Sequence, residues 1–429
     1  MDKTTTKVNE PGEFKVDESN LIVGVDIGAS NIGVAIGTLT QDDSVKLLGV
    51  GDTPLALDGN NDLETTKNAL REAVQRAELT SGFDIKKVYV GIGGGGLHVV
   101  QGTGKTNIET NEVRQLDIEN AVKSAMPPNQ ASGEVVHAFR VNFYLDDQEQ
   151  PYKNPLGMIC SRLTANVNVV LAPKNVLDNV RQCIVGTGLE LEGFVLEPYA
   201  AGLSVLYPDN PRKSEEMELG VAVLDIGSHS SDIAVFNNEC LLHCASLQVG
   251  GFLVTSDIAR SLEQPISIAR AEEIKKNHGT CLLTNLIEDD YIQVPGLAGR
   301  GEISYPRKQL ALVIRERMKQ IFKLYADYLK KNDLLDKLNA GIVLTGGCAS
   351  IEGVDKLAEE VFGKIVRVGN PVVRSGLQSM IGPKDAVRIG LLEFGARELA
   401  ERRSSTKKLP VAAVKGLGGR ILELLKSLV

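Results

Sequence analysis

The apolar and polar positions of the chain fall into one rhythm twice. LIVGVDIGASNIGVAIG, from Leu21 to Gly37, is an apolar run closing on Asp26, a polar turn containing glycine, and a second apolar run. VLDIGSHSSDIAVF, from Val223 to Phe236, repeats that plan around Asp225. Short apolar runs bounded by turn residues predict buried strands, so each stretch reads as a strand, a tight turn and a second strand. Aligning Asp26-Ile27-Gly28 with Asp225-Ile226-Gly227 sets the copies about two hundred residues apart, which predicts two versions of one half-domain in a single chain.

Between and after the copies the period changes. DLETTKNALREAVQRAEL carries apolar residues at three- and four-residue spacing behind Asp62, a natural N-cap, and predicts a helix. GIVLTGGCASIEGVDKLAEEVF reads as a strand, a turn at Gly346 and Gly347, and a helix beginning near Ile351, an arrangement that offers backbone donors at a helix N-terminus. One Asp-x-Gly hairpin is uninformative, because aspartate caps turns and glycine permits them. Two such hairpins followed by a strand, glycine pair and helix describe more: a cleft between two similar lobes, with hairpins clamping a polyphosphate and a glycine pair against which an adenosine can lie. The second hairpin is the odd one, since Ser228, His229, Ser230 and Ser231 follow a single Gly227 where close backbone approach to an anion favours glycine. Hydroxyls at Ser228 and Ser230 can act as donors in place of lost backbone access; side chains at 228 and 229 would strain the turn if φ is positive there.

Composition narrows the function. The chain has 429 residues, which predicts about three domains, and a net charge of −8 with 4% aromatic residues, which excludes bulk nucleic-acid binding. Its six cysteines (Cys160, Cys183, Cys240, Cys244, Cys281, Cys348) are scattered, and no secretory signal opens the chain, so a reducing cytoplasm is expected. Cys240, His243 and Cys244 sit in NECLLHCASL, whose period of two predicts a buried strand rather than a metal site. Gly104-Lys105-Thr106 is not a Walker loop, because Val99 stands where that loop needs glycine. His98, His137, His229, His243 and His278 share no nucleophile-elbow pattern. No apolar run reaches the roughly 20 residues that span a bilayer, so any membrane contact is made from the surface. Residues 1–20 are polar, mixed in charge and expected to be disordered.

On these residues the chain resembles the actin, Hsp70 and sugar-kinase superfamily and, within it, the bacterial cell-division FtsA family. The resemblance also rests on HAFRVNFYLDDQEQPYKNPLGM (His137 to Met158), VTSDIA at 254–259, AEEIKKNHG at 271–279 and GIVLTGG at 341–347, and covers about residues 21–395 and the character of the C-terminus. It implies an α/β, two-lobed actin-like ATPase fold with an inserted small α+β subdomain and a C-terminal amphipathic helix. Lobe I would be 21–83 and 162–217, the insert 84–161, lobe II 218–259 and 337–395, its upper subdomain 260–336, a basic linker 396–413 and the helix 414–429. The implied ligands are ATP and Mg2+. Asp26 and Asp225 would hold the metal through water. Gly28, Ala29, Ser30 and Asn31 would form the first phosphate loop, and Gly227, Ser228, His229, Ser230 and Ser231 the second. Glu272 and Lys275 would flank the adenosine, Gly346 and Gly347 would support it, and Glu197 would orient metal or water. Family members often carry Gly-Gly-Gly-Thr at the second loop and lysine at position 31, so these departures imply ATP binding with at most slow hydrolysis.

The implied partners are the acidic, apolar C-terminal tail of FtsZ, other copies of the chain in a polymer, later division proteins, and an anionic membrane. Arg300, Arg307 and Lys308 suit the FtsZ tail; a solvated surface explains them equally well. The insert would contact neighbouring protomers and later division proteins, and its glycines at 93–96 would sit in turns between strands. Val414, Leu417, Ile421, Leu424, Leu425 and Leu428 share one helical face, with Lys415, Arg420, Glu423 and Lys426 off it. Sixteen residues give a helix of about 24 Å, long enough to lie in the interface plane. Arg402, Arg403, Lys407 and Lys408 add positive charge nearby. Docking on the protein's own core is the residue-level alternative, and the resemblance favours the cytoplasmic face of the inner membrane at the division site. Two rival functions stay open: a pilus-assembly adaptor of the PilM type, and a small-molecule kinase of the same superfamily.

Overall fold

A computed structural model describes residues 17–40, 44–127, 133–146, 148–207, 214–261, 266–284, 286, 290–295, 301–373 and 377–406. Lobe I is built on β1 (Leu21–Ile27), β2 (Asn31–Leu39), β3 (Val45–Pro54), α1 (Leu63–Ser81) and β4 (Lys87–Ile92). An insert follows, with β5 (His98–Asn107), α2 (Gln115–Ser124), β6 (Glu134–Leu145) and β7 (Arg162–Ala172). The chain returns to lobe I through α3 (Lys174–Gly186), β8 (Glu190–Leu196) and α4 (Glu197–Val205). Lobe II then runs α5 (Glu215–Leu219), β9 (Val221–Ile226), β10 (Ser231–Asn237), β11 (Cys240–Leu247), α6 (Gly251–Ser261), α7 (Ile268–His278), β12 (Tyr291–Pro295), β13 (Glu302–Pro306), α8 (Arg307–Lys331), β14 (Gly341–Thr345), α9 (Val354–Phe362) and β15 (Val366–Val368). The chain then returns to lobe I as α10 (Ala386–Thr406), whose Arg388 and Leu391 lie against Gly33 and Gly24, so residues 386–395 join lobe I and not lobe II.

The repeat in the sequence is a repeat in space. Lobe I orders its sheet β3-β2-β1-β4-β8, and lobe II orders its sheet β11-β10-β9-β14-β15. In each, three antiparallel strands are followed by two parallel ones, with β1 and β9 in the middle. These central strands are covered on both faces, which explains their unbroken apolar runs: Val25, Val34, Val223, Leu224 and Ile233 are wholly buried. On α1 the buried residues Ala69, Leu70, Ala73, Val74 and Ala77 form the predicted stripe, and Asp62 caps the helix by accepting from the Thr65 N–H at 2.7 Å. Between the lobes α4 and α10 cross backbone to backbone, since a Cβ on Gly390 would stand 1.7 Å from the Ala200 carbonyl.

Several expected boundaries move. β4 pairs parallel with β1, so lobe I extends through Ile92 rather than ending at residue 83. β7 is the central strand of the insert, in the order β5-β7-β6, so the insert runs beyond 161 to Ala172. Both ends hid in apolar strands that join neighbouring sheets without a change of composition. Gly104-Lys105-Thr106 lies within β5, where Gly102 and Gly104 let α2 approach: a Cβ on either would meet the Ala125 or Ala121 carbonyl at 2.0 Å. The unit after β14 is not a direct helix; a 3-10 turn over Gly347–Ser350 intervenes and α9 starts at Val354, not near Ile351.

The expected linker at 396–413 is helical as far as Thr406, because Ala, Glu and Arg are strong helix formers and Arg402 pairs with Glu192 of β8 at 3.0 Å. Asp17 caps a short 3-10 turn ahead of β1, so the folded part begins before Leu21. Residues 1–16, Arg300 and the predicted terminal helix 414–429 lie outside the described residues. Among the described residues no helix is long and apolar enough to cross a membrane.

Candidate nucleotide site between the lobes

Each Asp-Ile-Gly turn closes in the same way, with Gly28 N–H donating to the Asn31 carbonyl and Gly227 N–H to the Ser230 carbonyl, both at 3.0 Å. Neither turn places Ala29 to Asn31 or Ser228 to Ser231 at positive φ, so the strain expected at 228 and 229 is absent. The glycines answer a different demand. A Cβ would stand 3.0 Å from the Asn31 carbonyl at Gly28 and 3.1 Å from the Ser230 carbonyl at Gly227.

The two loops are anchored differently. Asn61 Nδ2 donates to the Ala29 carbonyl at 3.1 Å, Leu55 N–H to the Ser30 carbonyl at 2.9 Å, and Asn31 Nδ2 to Asp52 Oδ1 at 3.1 Å. The second loop is tied to the start of α6 through Gly251 N–H to the Gly227 carbonyl (2.9 Å) and Phe252 N–H to the Ser228 carbonyl (2.8 Å). Ser231 Oγ donates to the Val249 carbonyl at 2.7 Å, and the Tyr325 hydroxyl donates to the Ser231 carbonyl. His229 stacks on Phe252 with centroids 4.6 Å apart and reaches lobe I, where its Nε2 lies 3.0 Å from the place a Cβ would take on Gly59. Neither ring nitrogen has a protein partner.

Behind the turns four carboxylates converge. Asp26 ends β1, Asp225 ends β9, Asp232 faces Asp225 across the β9–β10 pair, and Glu197 opens α4. Burial pushes Asp26 up to about 6, with Arg388 pulling it down and Asp385, Asp52 and Asp232 pushing it up. Burial also raises Glu197 and Asp225 well above the usual carboxylate range; Asp26, Asp232 and Asp225 add to the effect at Glu197, and Asp232 and Asp26 at Asp225. Asp232 is raised by burial, against which the Ser246 and Ser230 hydroxyls and the Gly94 N–H act. The buried cation that offsets Asp26 is Arg388, which pairs with Asp385 and, at 3.0 Å, with Asp52; among the described residues no cation offsets Asp225 in the same way.

Sequence reasoning missed Asp232, Arg388 and the glycines after β4. A Cβ on Gly93 would fall 1.8 Å from Glu197 Oε2, and the Gly94 N–H reaches across the cleft to Asp232 Oδ1 at 3.2 Å. The run does turn between strands, β4 and β5, as expected, and it lines the cleft as well. Its signal was a row of glycines at the end of a central strand, where close backbone approach is the usual reason. Asp232 had a signal too, because it closes the same turn as Asp225.

On the lobe II side Lys275 of α7 is buried, its Nζ 2.7 Å from Glu272 Oε2, 2.9 Å from Thr255 Oγ1 and 3.1 Å from the Gly251 carbonyl. Burial acts to raise Glu272, but Lys275, the Thr255 hydroxyl and Lys276 together outweigh it and leave its carboxyl below the usual range. Gly346 has φ +82°, and a Cβ there would strike Asp225 Oδ1 at 2.2 Å; beside Gly347 nothing lies within 4 Å, leaving an open backbone face. Gly346, Gly347 and the Glu272–Lys275 pair thus come together with Asp225 and the second loop. Arg307 lies apart, at the start of α8, with Nη1 3.2 Å from Asp290 Oδ2; Lys308 follows it on the same helix.

Among the described residues no three His, Cys, Asp or Glu side chains are placed to hold a metal directly. Matched sheets, paired acidic hairpins and a glycine platform define an actin-like protein with an inserted subdomain. The solved structures it resembles share that fold. One is the PilM-PilN type IV pilus biogenesis complex (TM-score 0.58, 19% identity, 87% of this chain and 98% of that one). Another is MreB5 of Spiroplasma citri bound to ADP (0.54, 14%, 90% and 99%).

The sequence is more specific, and the chain belongs to the FtsA family. The family model "Cell division protein FtsA" matches residues 222–390, and the model for the SHS2 domain inserted in FtsA matches 94–171. The chain is 33% identical to Cell division protein FtsA of Pseudomonas aeruginosa over 397 residues, covering 91% of this chain and 92% of the relative. It is 32% identical to that of Escherichia coli over 413 residues, covering 94% and 96%.

Proposed function

We propose that this cell-division protein binds Mg2+·ATP between its lobes, polymerises, and tethers the C-terminal tail of FtsZ to the cytoplasmic face of the inner membrane at the division site, where later division proteins join. The observation that carries the nucleotide part is the convergence of Asp26, Asp225, Asp232 and Glu197, buried acids whose mutual repulsion opposes folding at neutral pH. Bound Mg2+ supplies the positive charge that lets these acids and a polyphosphate share one cleft. Asp26 and Asp225 hold its water shell, the two turns present backbone donors to the phosphates, and Gly346, Gly347, Glu272 and Lys275 receive the adenosine. Glu197 orients water, and the modified second loop makes turnover slow.

The terminal face Val414, Leu417, Ile421, Leu424, Leu425 and Leu428, with Arg420 and Lys426 beside it, is the membrane anchor in this reading. One such helix binds reversibly, and a row of them on a polymer binds through high effective concentration. Arg300, Arg307 and Lys308 remain the proposed FtsZ contacts. Because Arg307 already pairs with Asp290, the tail carboxylates would compete for it.

Liposome sedimentation tests the tether. A truncation after Thr406, which spares α10, should stay in the supernatant with FtsZ, whereas the full chain carries FtsZ to anionic liposomes. Recruitment by the truncated protein would end this reading. Charge reversal at Arg300 and Arg307 should abolish binding of the FtsZ tail.

A further inference from the structure

The insert is hydrogen-bonded to each lobe at a buried polar point. β8 is the edge strand of the lobe I sheet, so an outward N–H there finds no neighbouring strand. The N–H of its last residue, Leu196, donates instead to Nε2 of His137 on β6 of the insert, at 3.1 Å. Leu196 is the N-cap of α4, and the next residue is Glu197. His137 is 4% exposed and packed against Phe139, Tyr199 and Phe394, with centroids 5.4 to 5.7 Å away. Burial lowers it to about 4, which keeps the ring neutral and Nε2 an acceptor at physiological pH.

The second point is Asn168 on β7, whose Nδ2 donates to the Leu241 and Leu242 carbonyls of β11, at 3.1 and 3.0 Å. β11 pairs with β10, and in that register Ser246 stands opposite Asp232. One bond thus reaches the backbone that launches Glu197 in lobe I, and the other reaches the strand behind Asp232 in lobe II.

We propose that His137 is a positioning residue for Glu197 and that, with Asn168, it makes the insert a strut across the nucleotide cleft. The acids of the cleft are then set in part by a subdomain that belongs to neither lobe, and a load on the insert reaches the start of α4 through the His137–Leu196 hydrogen bond. This proposal rests on the ATP reading for its consequence but not for its geometry.

The test uses the full chain and three variants. His137→Phe keeps a ring among the aromatics and removes the acceptor, His137→Gln restores one, and Asn168→Leu removes both donors at similar volume. In His137→Phe, amide exchange at Leu196 should accelerate about tenfold, the loss of one buried hydrogen bond. The factor by which Mg2+ tightens ATP binding should fall about fivefold, with affinity in EDTA unchanged, because only the metal-facing acid has moved. His137→Gln should recover most of both effects, and Asn168→Leu should lower the Mg2+ factor less, acting through β11. Unchanged Leu196 exchange in His137→Phe overturns the proposal. So does equal impairment of the Phe and Gln variants, which would mark His137 as packing alone. If the wild type binds no ATP, the proposed function falls, and exchange at Leu196 still decides whether His137 holds that junction.

Discussion

Seven positions after the aspartate that ends its first strand, lobe I has Gly33 and lobe II has Asp232. The backbones of the two hairpins are otherwise equivalent, and that one position separates their electrostatics. At Gly33 the missing side chain leaves room for Arg388, whose Cδ and Nη1 lie 3.3 Å from where a Cβ would be. Lobe I therefore answers Asp26 with a guanidinium of its own. Lobe II sets a second acid against Asp225, and among the described residues its buried cation, Lys275, is paired with Glu272 instead. A duplicated element has become one half that is internally compensated and one half that is completed by a positive charge from outside.

The comparison breaks hardest at Arg388. Replacing it with methionine should remove about 3–5 kcal/mol of stability, read by chemical denaturation, because Asp385 and Asp52 are left as uncompensated acids. Neutralising the acids should act in the opposite direction. Asp225→Asn should raise the melting temperature by about 2–4 °C and Asp26→Asn by less, since only Asp26 has Arg388 to offset its burial. Both should lose Mg2+-dependent ATP binding, so a variant that gains stability loses function. A smaller gain from Asp225→Asn than from Asp26→Asn would refute the asymmetry.

The pH dependence follows from the signs. A carboxyl raised to about 6, as Asp26 is, contributes stability below its unfolded value near 4 and loses it as pH rises through 6. The advantage of Asp26→Asn should therefore shrink between pH 7 and pH 5 in thermal melts. His137 works the other way: lowered to about 4, it supports the fold above roughly 6.5 and that support is lost as pH falls toward 4.

Smaller effects sharpen the contrast between the loops. Ser228→Gly with His229→Gly should leave ATP affinity within about twofold while costing roughly 1 kcal/mol, because the turn is unstrained and what disappears is the stack on Phe252. Loss of binding would mean that the side chains themselves build the site. Smallest of all, Asn31→Lys on the exposed first loop should change stability by about 0.5 kcal/mol or less and tighten ATP binding slightly, measured by calorimetry.

Much of this was legible in the residues. Repeated Asp-Ile-Gly turns between unbroken apolar runs gave away two copies of a buried, partly parallel sheet, and Asp62 and Gly346 announced their roles through local chemistry. Arg388 did not, because its meaning depends on Gly33, more than three hundred residues earlier, and no local pattern joins a helical arginine to a strand glycine. The glycines at 93 and 94 form the expected turn, but their contacts with Glu197 and Asp232 are not legible, for a related reason. They follow a strand that sits in lobe I but precedes the insert in sequence, and composition does not mark that border. His229 looked like a defect in a phosphate loop when read as a turn residue; in space it is a contact between lobes.

One property of α10 reaches beyond the cleft. This helix of 21 residues, about 31 Å long, carries Arg388 near its start and continues without a break to Thr406. The azimuth at which the chain leaves the body is therefore a matter of helical phase. Inserting one residue between Glu401 and Arg402 would leave the acids untouched yet swing everything downstream by about 100°, and seven inserted residues would return it almost to its original bearing. A series of such insertions turns the orientation of the C-terminal segment into a dial with a known step.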